Sequence, residues 1–310
     1  MMRDVKNKIA AMARWMGTRV FFVYVVVFIA LGVVVDIPLI WSNARIRSLN
    51  RLMPSMEGLA DFVMGRRNLS PEEWEEYIGY YKRLLRLSRN DPGGNFFFAT
   101  VCAMAGREEE GLPYLRYAVE NIKGLFFVDY NFAAVLYNRG DYESAISWFQ
   151  QAVDDPPDRM LHYMRDAKMY LQVIFSIVDS GFHVEGSLAE KYQEAHLMIA
   201  KSWFLMGKYD EAMSVVYYSL DKGWGGDPAF YHIAALSLEK LGRYNEAAIL
   251  FTRLVEADPY NLTVWDELLG VLDRLGLEEK KAAMAQTRKK FEKLGAKRVE
   301  LFGKAAYYLL

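Results

Sequence analysis

The chain has 310 residues, of which 53% are apolar and 25% charged, with nine prolines and one cysteine. This composition excludes a disordered chain, a collagen and a disulfide-stapled secreted scaffold, and Cys102 alone can form no intrachain disulfide and no metal site built on cysteines. The formal net charge of −1 argues against a general nucleic-acid binder, which needs clustered Lys and Arg against phosphate.

The first predicted element is a membrane-spanning helix. Residues 20–35 contain no charged side chain, and after Asp36 the apolar character resumes as far as Trp41. A helix over residues 20–41 is about 33 Å long, enough to cross a hydrocarbon core of about 30 Å. Trp15 and Trp41 flank the run, as amphipathic rings do at the two membrane interfaces.

Two alternatives to an anchor are a buried core helix and a cleaved signal peptide, for which Ser42 to Ala44 offer a small-residue cleavage site. The apolar run exceeds that of most signal peptides and bulky residues crowd this site, so an uncleaved anchor is favoured. The basic leader, residues 1–19, carries five Lys and Arg. Three basic residues follow the span, and this asymmetry predicts a cytoplasmic amino terminus with the rest of the chain extracytoplasmic, or periplasmic in a bacterium. Asp36 is expected at the interface or in contact with a neighbouring helix.

Residues 42–69 are mixed in composition and are predicted to form a juxtamembrane linker. The sequence from Ser70 to Glu73 then has the form of a capping box with proline at the first helical position, which predicts a helix as far as about Arg89. One face of this helix is aromatic and apolar and is expected to cover the elements that follow. The residues on that face are Trp74, Tyr77, Tyr81 and Leu84.

Beyond this helix, five glycines recur with a period near 34 residues. Apolar residues precede each glycine at offsets of four, seven and eight, and after three of them alanine follows at five and an apolar or aromatic residue at nine. This spacing predicts two helices joined by a turn in which the glycine adopts a positive φ. One such hairpin cannot bury its apolar face, whereas stacked hairpins can. The five glycines are Gly106, Gly140, Gly207, Gly242 and Gly276.

The pattern resembles the tetratricopeptide repeat family, whose units read W-x₂-L-G-x₂-Y, then A-x₃-F, then P. The resemblance implies an all-α fold, in which a solenoid of helical hairpins follows the transmembrane helix. In the two weaker units Gly111 and Lys281 stand where the family has alanine. The good matches are 126–159, 193–226 and 228–261, and the weaker ones are 92–125 and 262–295.

The period breaks between Gly140 and Gly207, which predicts two repeat blocks, residues 70–157 and 187–295. Between them, residues 158–186 predict an irregular long helix and a loop, because 159–180 contain neither Gly nor Pro. A single helix there would upset the alternation of the stack, so we expect a weakly coupled, protease-sensitive joint. The residues after the last block, 296–310, are predicted to form a C-terminal helix or cap.

No pattern points to catalysis. The histidines lack the H-E-x-x-H motif and the spacing of a zinc site, and the chain has no nucleophile elbow, phosphate-binding loop or dinucleotide fingerprint. We therefore expect no catalytic residue, no metal, no cofactor and no small-molecule substrate. The four histidines are His162, His183, His196 and His232.

The resemblance also implies a groove, lined by the first helix of each pair, that holds a peptide or a partner segment. Asparagine side chains can bind an extended peptide backbone and tyrosines supply apolar area, although some of these aromatic residues could instead pack between helices. The residues that the resemblance assigns to the groove are Tyr130, Asn131, Tyr137, Asn138, Lys201, Phe204, His232 and Lys240.

The predicted function is that of a membrane-tethered scaffold or adaptor that binds protein or peptide partners in this groove. Two alternatives stay open. One is a structural or assembly subunit of a membrane complex, which contacts its partners through the transmembrane helix and Asp36. The other is a non-catalytic accessory that presents a substrate to a membrane enzyme.

Overall fold

The computed structural model describes residues 58–59, 62, 67–87, 89–154, 184–223 and 227–308. This part of the chain contains eleven α-helices and no β-strand, in agreement with the predicted all-α class. In chain order the helices are α1 (Pro71–Leu87), α2 (Pro92–Met104), α3 (Glu108–Asn121), α4 (Phe126–Asn138), α5 (Tyr142–Asp154), α6 (Val184–Leu205), α7 (Tyr209–Asp221), α8 (Pro228–Lys240), α9 (Tyr244–Ala257), α10 (Leu262–Arg274) and α11 (Glu278–Lys293).

Four of the predicted elements lie wholly or mostly outside the described residues. They are the basic leader, residues 1–19, the membrane span, residues 20–41 with Asp36, most of the linker, residues 42–69, and most of the joint, since residues 155–183 are not described. Among the helices that are described, none combines the length and the apolar character needed to cross a membrane.

After α1, the helices form five consecutive hairpins, α2–α3, α4–α5, α6–α7, α8–α9 and α10–α11, and each helix packs against the next. The glycine at each hairpin turn has a φ between +65° and +81°, as the repeat pattern predicts. At Gly140 the turn is closed by the Asp141 N–H, which donates to the Leu136 carbonyl at 3.0 Å. Left-handed glycine therefore ends the first helix of every hairpin.

The predicted capping box starts α1. The Glu73 N–H donates to the Ser70 hydroxyl at 3.2 Å, and the Ser70 N–H donates to the Glu73 carboxylate at 2.8 Å. Asp227 caps α8 in a related way, since its carboxylate accepts from the Ala229 N–H at 2.8 Å with proline at the first helical position. Both helix starts agree with the sequence.

The helices on either side of the predicted joint pack directly against each other. Both α5 and α6 contribute to one buried cluster, to which α6 supplies Met198 and Ile199. The neighbouring residues Leu197 and Ala200 belong to the second cluster, which extends to α10. The contact between α5 and α6 joins the two sets of hairpins directly, and the predicted break in helix alternation stays a prediction, because the residues on which it rests, 159–180, lie outside the described ranges.

The sequence predicts a C-terminal helix or cap after α11, and residues 296–308 contain no helix. Gly295, with a φ of +94°, ends α11, and residues 296–308 are irregular, with an isolated bridge at Lys297 and bends at residues 301 and 302. The Lys297 N–H donates to the Tyr260 carbonyl at 2.9 Å, and its carbonyl accepts from the Leu262 N–H at 2.8 Å. These two hydrogen bonds fix the beginning of the stretch after α11 beside the start of α10. Residues 296–308 are called the groove segment below.

Candidate peptide-binding groove

The first helices of the hairpins, α2, α4, α6, α8 and α10, form one side of the stack. Polar side chains connect neighbouring first helices: the Asn131 amide on α4 donates to Thr100 on α2 at 3.1 Å. The Arg274 guanidinium on α10 donates to the Glu239 carboxylate on α8 at 2.5 Å. The surface that these five helices form is called the groove, and the groove segment lies along it.

Two asparagines of α4 bind the backbone of the groove segment. The Asn131 amide donates to the Tyr308 carbonyl at 2.6 Å and accepts from the Tyr308 N–H at 2.9 Å. Asn138 accepts from the Ala305 N–H at 2.7 Å and donates to the Ala305 carbonyl at 3.2 Å. Each amide thus satisfies both backbone groups of one residue, whatever side chain that residue carries.

The spacing of the two asparagines matches the rise of an extended chain. Seven residues along α4 correspond to about 10.5 Å at the helical rise of about 1.5 Å per residue. From Ala305 to Tyr308 the chain spans about 9 Å at the polyproline II rise of about 3.1 Å per residue, and the three-residue period of that conformation turns both residues to the same side. Two side chains that lie two turns apart on one helix face can therefore bind every third residue of an extended segment.

Aromatic rings bind the side chains of the segment. The Tyr308 ring lies 4.9 Å from the ring of Tyr130 and 6.3 Å from that of Phe127, and the Lys191 ammonium lies 3.2 Å from the Tyr308 centroid. The Phe302 ring stacks on Phe204 at 4.9 Å with an interplanar angle of 17°. Contacts of both kinds add to the energy of simple apolar burial.

The groove segment is also fixed at its two ends. Near α10, the Val299 N–H donates to the Thr263 hydroxyl at 3.0 Å, and Arg298 pairs with Asp266 at 2.7 Å. At the other end, the Tyr307 hydroxyl accepts from the Asn138 amide on α4 at 2.6 Å and donates to the Glu108 carboxylate at the start of α3 at 3.3 Å. The segment therefore runs from the fifth hairpin back to the second.

Charged side chains on α6 lie partly buried in the groove. Burial raises the pKa of the Glu194 carboxyl, against the opposing effect of the Lys191 charge, and this carboxylate accepts from the Tyr130 hydroxyl at 3.1 Å. Burial likewise lowers the pKa of Lys191 and of Lys201, the latter opposed by Asp227 and Glu194. This helix thus carries one carboxylate and two ammonium groups that are partly shielded from water.

The structure brings four of the eight predicted groove residues to the segment: Tyr130, Asn131, Asn138 and Phe204. The Tyr137 ring is buried, and its hydroxyl has no hydrogen-bond partner among the described residues. His232 is also buried and pairs with Glu267. Lys240 is exposed at the end of α8.

The sequence did not predict that residues 296–308 of the same chain lie along the groove. It also did not include Lys191 or Thr263 among the binding residues. One signal was present: the stretch after Gly295 carries aromatic residues, Phe302, Tyr307 and Tyr308, although it follows the last repeat and has no helical partner to pack against.

Within the described ranges, no group of three or more His, Cys, Asp and Glu side chains is placed to bind a metal ion. His196 lies beside the Tyr218 ring, with centroids 5.3 Å apart. His162 and His183 lie outside the described residues.

Residues 228–261, which contain the α8–α9 hairpin, match a family model described as tetratricopeptide repeat. In fold, the chain is similar to MamA, residues 41 to the end, from Desulfovibrio magneticus RS-1, with 16% identity, a TM-score of 0.51 and coverage of 67% of this chain and 98% of that chain. A double mutant of MamA RS-1 gives the same identity and TM-score over 66% of this chain and 97% of that one. Among curated proteins, none matches the sequence. The repeat resemblance is thus supported, and the fold is a solenoid of the tetratricopeptide type.

Proposed function

We propose that the chain is a non-catalytic scaffold that binds extended segments of protein partners in the groove. The observation that carries this proposal is the pair of asparagines on α4, each bound to both backbone groups of one residue of an extended segment. A contact of this kind recognises the backbone N–H and C=O groups that every extended peptide presents. The family match of residues 228–261 supports the same function.

We further propose that residues 20–41 tether this scaffold to a membrane, with the repeats on the extracytoplasmic side. The support is the length of the apolar run and the basic leader before it. Alkaline carbonate should leave the protein in the membrane pellet with its amino terminus intact. Release into the supernatant, or a new amino terminus near Arg45, would contradict the anchor. Digestion of the repeats by protease added from the outer side tests the orientation.

The scaffold function is tested by cross-linking in membranes and identification of the partners recovered. Replacing Asn138 and Phe204 together by Ala removes a backbone contact and an aromatic contact of the groove. Partner recovery should then fall by at least about tenfold, because a loss of about 1.4 kcal/mol in binding is already tenfold in affinity.

A matched control replaces two exposed apolar residues on second helices, Tyr217 and Ile249, which are 57% and 56% exposed. This double variant should recover partners normally. Tyr130 is unsuitable for the test, since its side chain is fully buried and its loss would destabilise the fold. Loss of recovery in Asp36→Asn but not in the groove variant would favour the assembly-subunit alternative.

A further inference from the structure

Resting on the proposed function, we propose that the groove selects partner segments with a bulky apolar residue, a small residue and an aromatic residue at three-residue intervals. The groove segment presents this pattern as Phe302, Ala305 and Tyr308, and it is the intramolecular competitor that a partner segment must displace. The inference combines three features of the structure. The asparagines bind the backbone of the segment, three of its side chains face the groove wall, and the segment that occupies the groove belongs to the same chain.

The asparagine contacts fix the register of a bound segment but not its sequence. Of the contacts that Asn131 and Asn138 make with the segment, four are to backbone groups, and an unrelated segment can make the same four; the fifth, from the Asn138 amide to the Tyr307 hydroxyl at 2.6 Å, depends on a side chain. Sequence selection must therefore come from the side chains that the register directs at the groove wall.

Those side chains differ in the space that the wall leaves for them. Phe302 stacks on Phe204, and Tyr308 lies between the Tyr130 ring and the Lys191 ammonium. Ala305, between them, is only 5% exposed and forms part of the first buried cluster. A large side chain at this position has no room, whereas bulky rings at the two flanking positions gain contacts.

The intervening residues do not contribute to selection in the same way. Lys304 and Ala306 are exposed, so their side chains point away from the wall. Tyr307 is partly buried, and its hydroxyl bonds to Asn138 and Glu108, which adds one contact outside the three-residue pattern. The Glu108 carboxylate lies 3.5 Å from the Lys304 ammonium, which adds a preference for a basic residue before the small one. An exposed ion pair of this kind contributes at most about 1 kcal/mol.

The covalent connection of the segment to the helices runs through Gly295 at the end of α11, so the segment binds as a tethered ligand. A short flexible tether gives an effective concentration on the order of millimolar. A free segment of equal intrinsic affinity must exceed that concentration to occupy half of the grooves. A partner with a better match, or one held nearby by the membrane, can displace the groove segment.

The test uses the full chain in detergent micelles and a fluorescein-labelled peptide with the sequence of residues 296–308. In the protein, Phe302→Ala with Tyr308→Ala weakens the tethered segment and leaves the groove wall unchanged. This released variant should bind the labelled peptide at least about tenfold more tightly than the unchanged protein, because competition at millimolar effective concentration is removed. Fluorescence anisotropy measures both affinities.

Two matched changes identify the site. Adding Asn138→Ala to the released variant should remove the gain in affinity. A peptide carrying Ala305→Arg should bind the released variant at least about tenfold more weakly than the unchanged peptide, since the small position admits no large side chain. Equal binding of the two peptides would overturn the proposed pattern.

Circular dichroism establishes whether the released variant folds. If it does not, Ala305→Arg in the protein provides a second route, because it excludes the tethered segment by size alone. Loss of the helical signal in both variants would show that residues 296–308 are an integral element of the fold, which overturns the competitor role. Equal peptide affinity of the released and unchanged proteins would overturn it as well.

The partner cross-linking experiment separates this inference from the proposed function. If partner recovery depends on Asn138 but is equal in the unchanged and released proteins, the scaffold function is supported. The proposal that the groove segment competes with partners is then overturned. Tighter peptide binding by the released variant, with no partner recovery that depends on Asn138, would support self-recognition and contradict the scaffold function.

Discussion

At the scale of single residues, Asn131 and Asn138 place two amides on one face of α4 at the spacing of every third residue of an extended chain. Asn131 is fully buried beneath the segment it binds, and its amide reaches Thr100 on the other side. A buried amide without partners is costly, by about 1–3 kcal/mol for each unsatisfied group. An extended backbone in the groove therefore stabilises this wall by satisfying the Asn131 groups that Thr100 does not reach.

Tyr130 is one of the predicted groove residues, but its burial makes it unsuitable for testing binding by mutation. Every residue from Phe126 to Tyr137 on α4 is buried. Helical spacing cannot distinguish the groove side of such a helix from its core sides, since no exposed face breaks the pattern. The sequence therefore identified the helix and its two asparagines, but it could not show that Tyr130 belongs to the core.

His196 provides a prediction on pH. Burial lowers its pKa to about 4, with the Asp154 carboxylate opposing, whereas in the unfolded chain the pKa is near 6.5. Between these values the unfolded state binds more protons, so the stability that the neutral imidazole provides is present above pH 6.5 and is lost as the pH falls towards 4. His196→Gln should reduce the difference in urea midpoint between pH 7 and pH 5. An unchanged difference would show that other groups control this pH window.

At the scale of helices, the α2–α3 hairpin shows why one repeat departs from the family pattern. Gly111 stands where alanine is expected, and a Cβ there would meet the Ala99 carbonyl oxygen at 2.7 Å and the Cys102 Cβ at 3.0 Å. The two helices thus approach more closely than an alanine would allow. The weak match of this unit reflects tighter packing rather than the absence of a hairpin.

Gly111→Ala should therefore lower the free energy of unfolding, by about 1–3 kcal/mol as for other overpacked sites. Gly270 on α10 is the matched control, since a Cβ there meets nothing within 4 Å. Gly270→Ala should leave stability unchanged or raise it by up to about 1 kcal/mol, because alanine restricts the unfolded chain. Urea titration of the two variants measures both effects, and equal destabilisation would contradict the close approach at Gly111.

The non-helical form of residues 296–308 shows the limit of local sequence reasoning. A stretch after a repeat array is helical or extended according to what it packs against. Here the partners are distant: Asn131 and Tyr308 are 177 positions apart in sequence. Hairpin turns, by contrast, depend on a glycine and on residues within one or two helical turns of it, and for that reason the sequence predicted them correctly.

At the scale of the whole molecule, α6 is shared by the two larger of the three buried clusters among the described residues. Ile199 belongs to the cluster built by α2 to α6, and Ala200 to the one that continues to α10. In a repeat stack each unit is stabilised by its neighbours. Weakening α6 should therefore weaken both halves of the described stack.

Ile199→Ala, at a position 2% exposed, should cost about 2–5 kcal/mol, as large-to-small changes in cores do. Hydrogen exchange should show faster opening in both α4 and α8. Tyr217→Ala, at an exposed position, is the control and should change neither helix. Faster exchange in only one of the two helices would support the predicted weak joint between the blocks.

The central claim is that the asparagines of α4 bind an extended backbone in the groove, and it is tested by hydrogen exchange at the Ala305 and Tyr308 amides. Their N–H groups donate to Asn138 and Asn131. In the unchanged protein both amides should exchange more slowly than in the free peptide. Asn138→Ala should release the Ala305 amide and Asn131→Ala the Tyr308 amide. Exchange at free-peptide rates in the unchanged protein would contradict the claim.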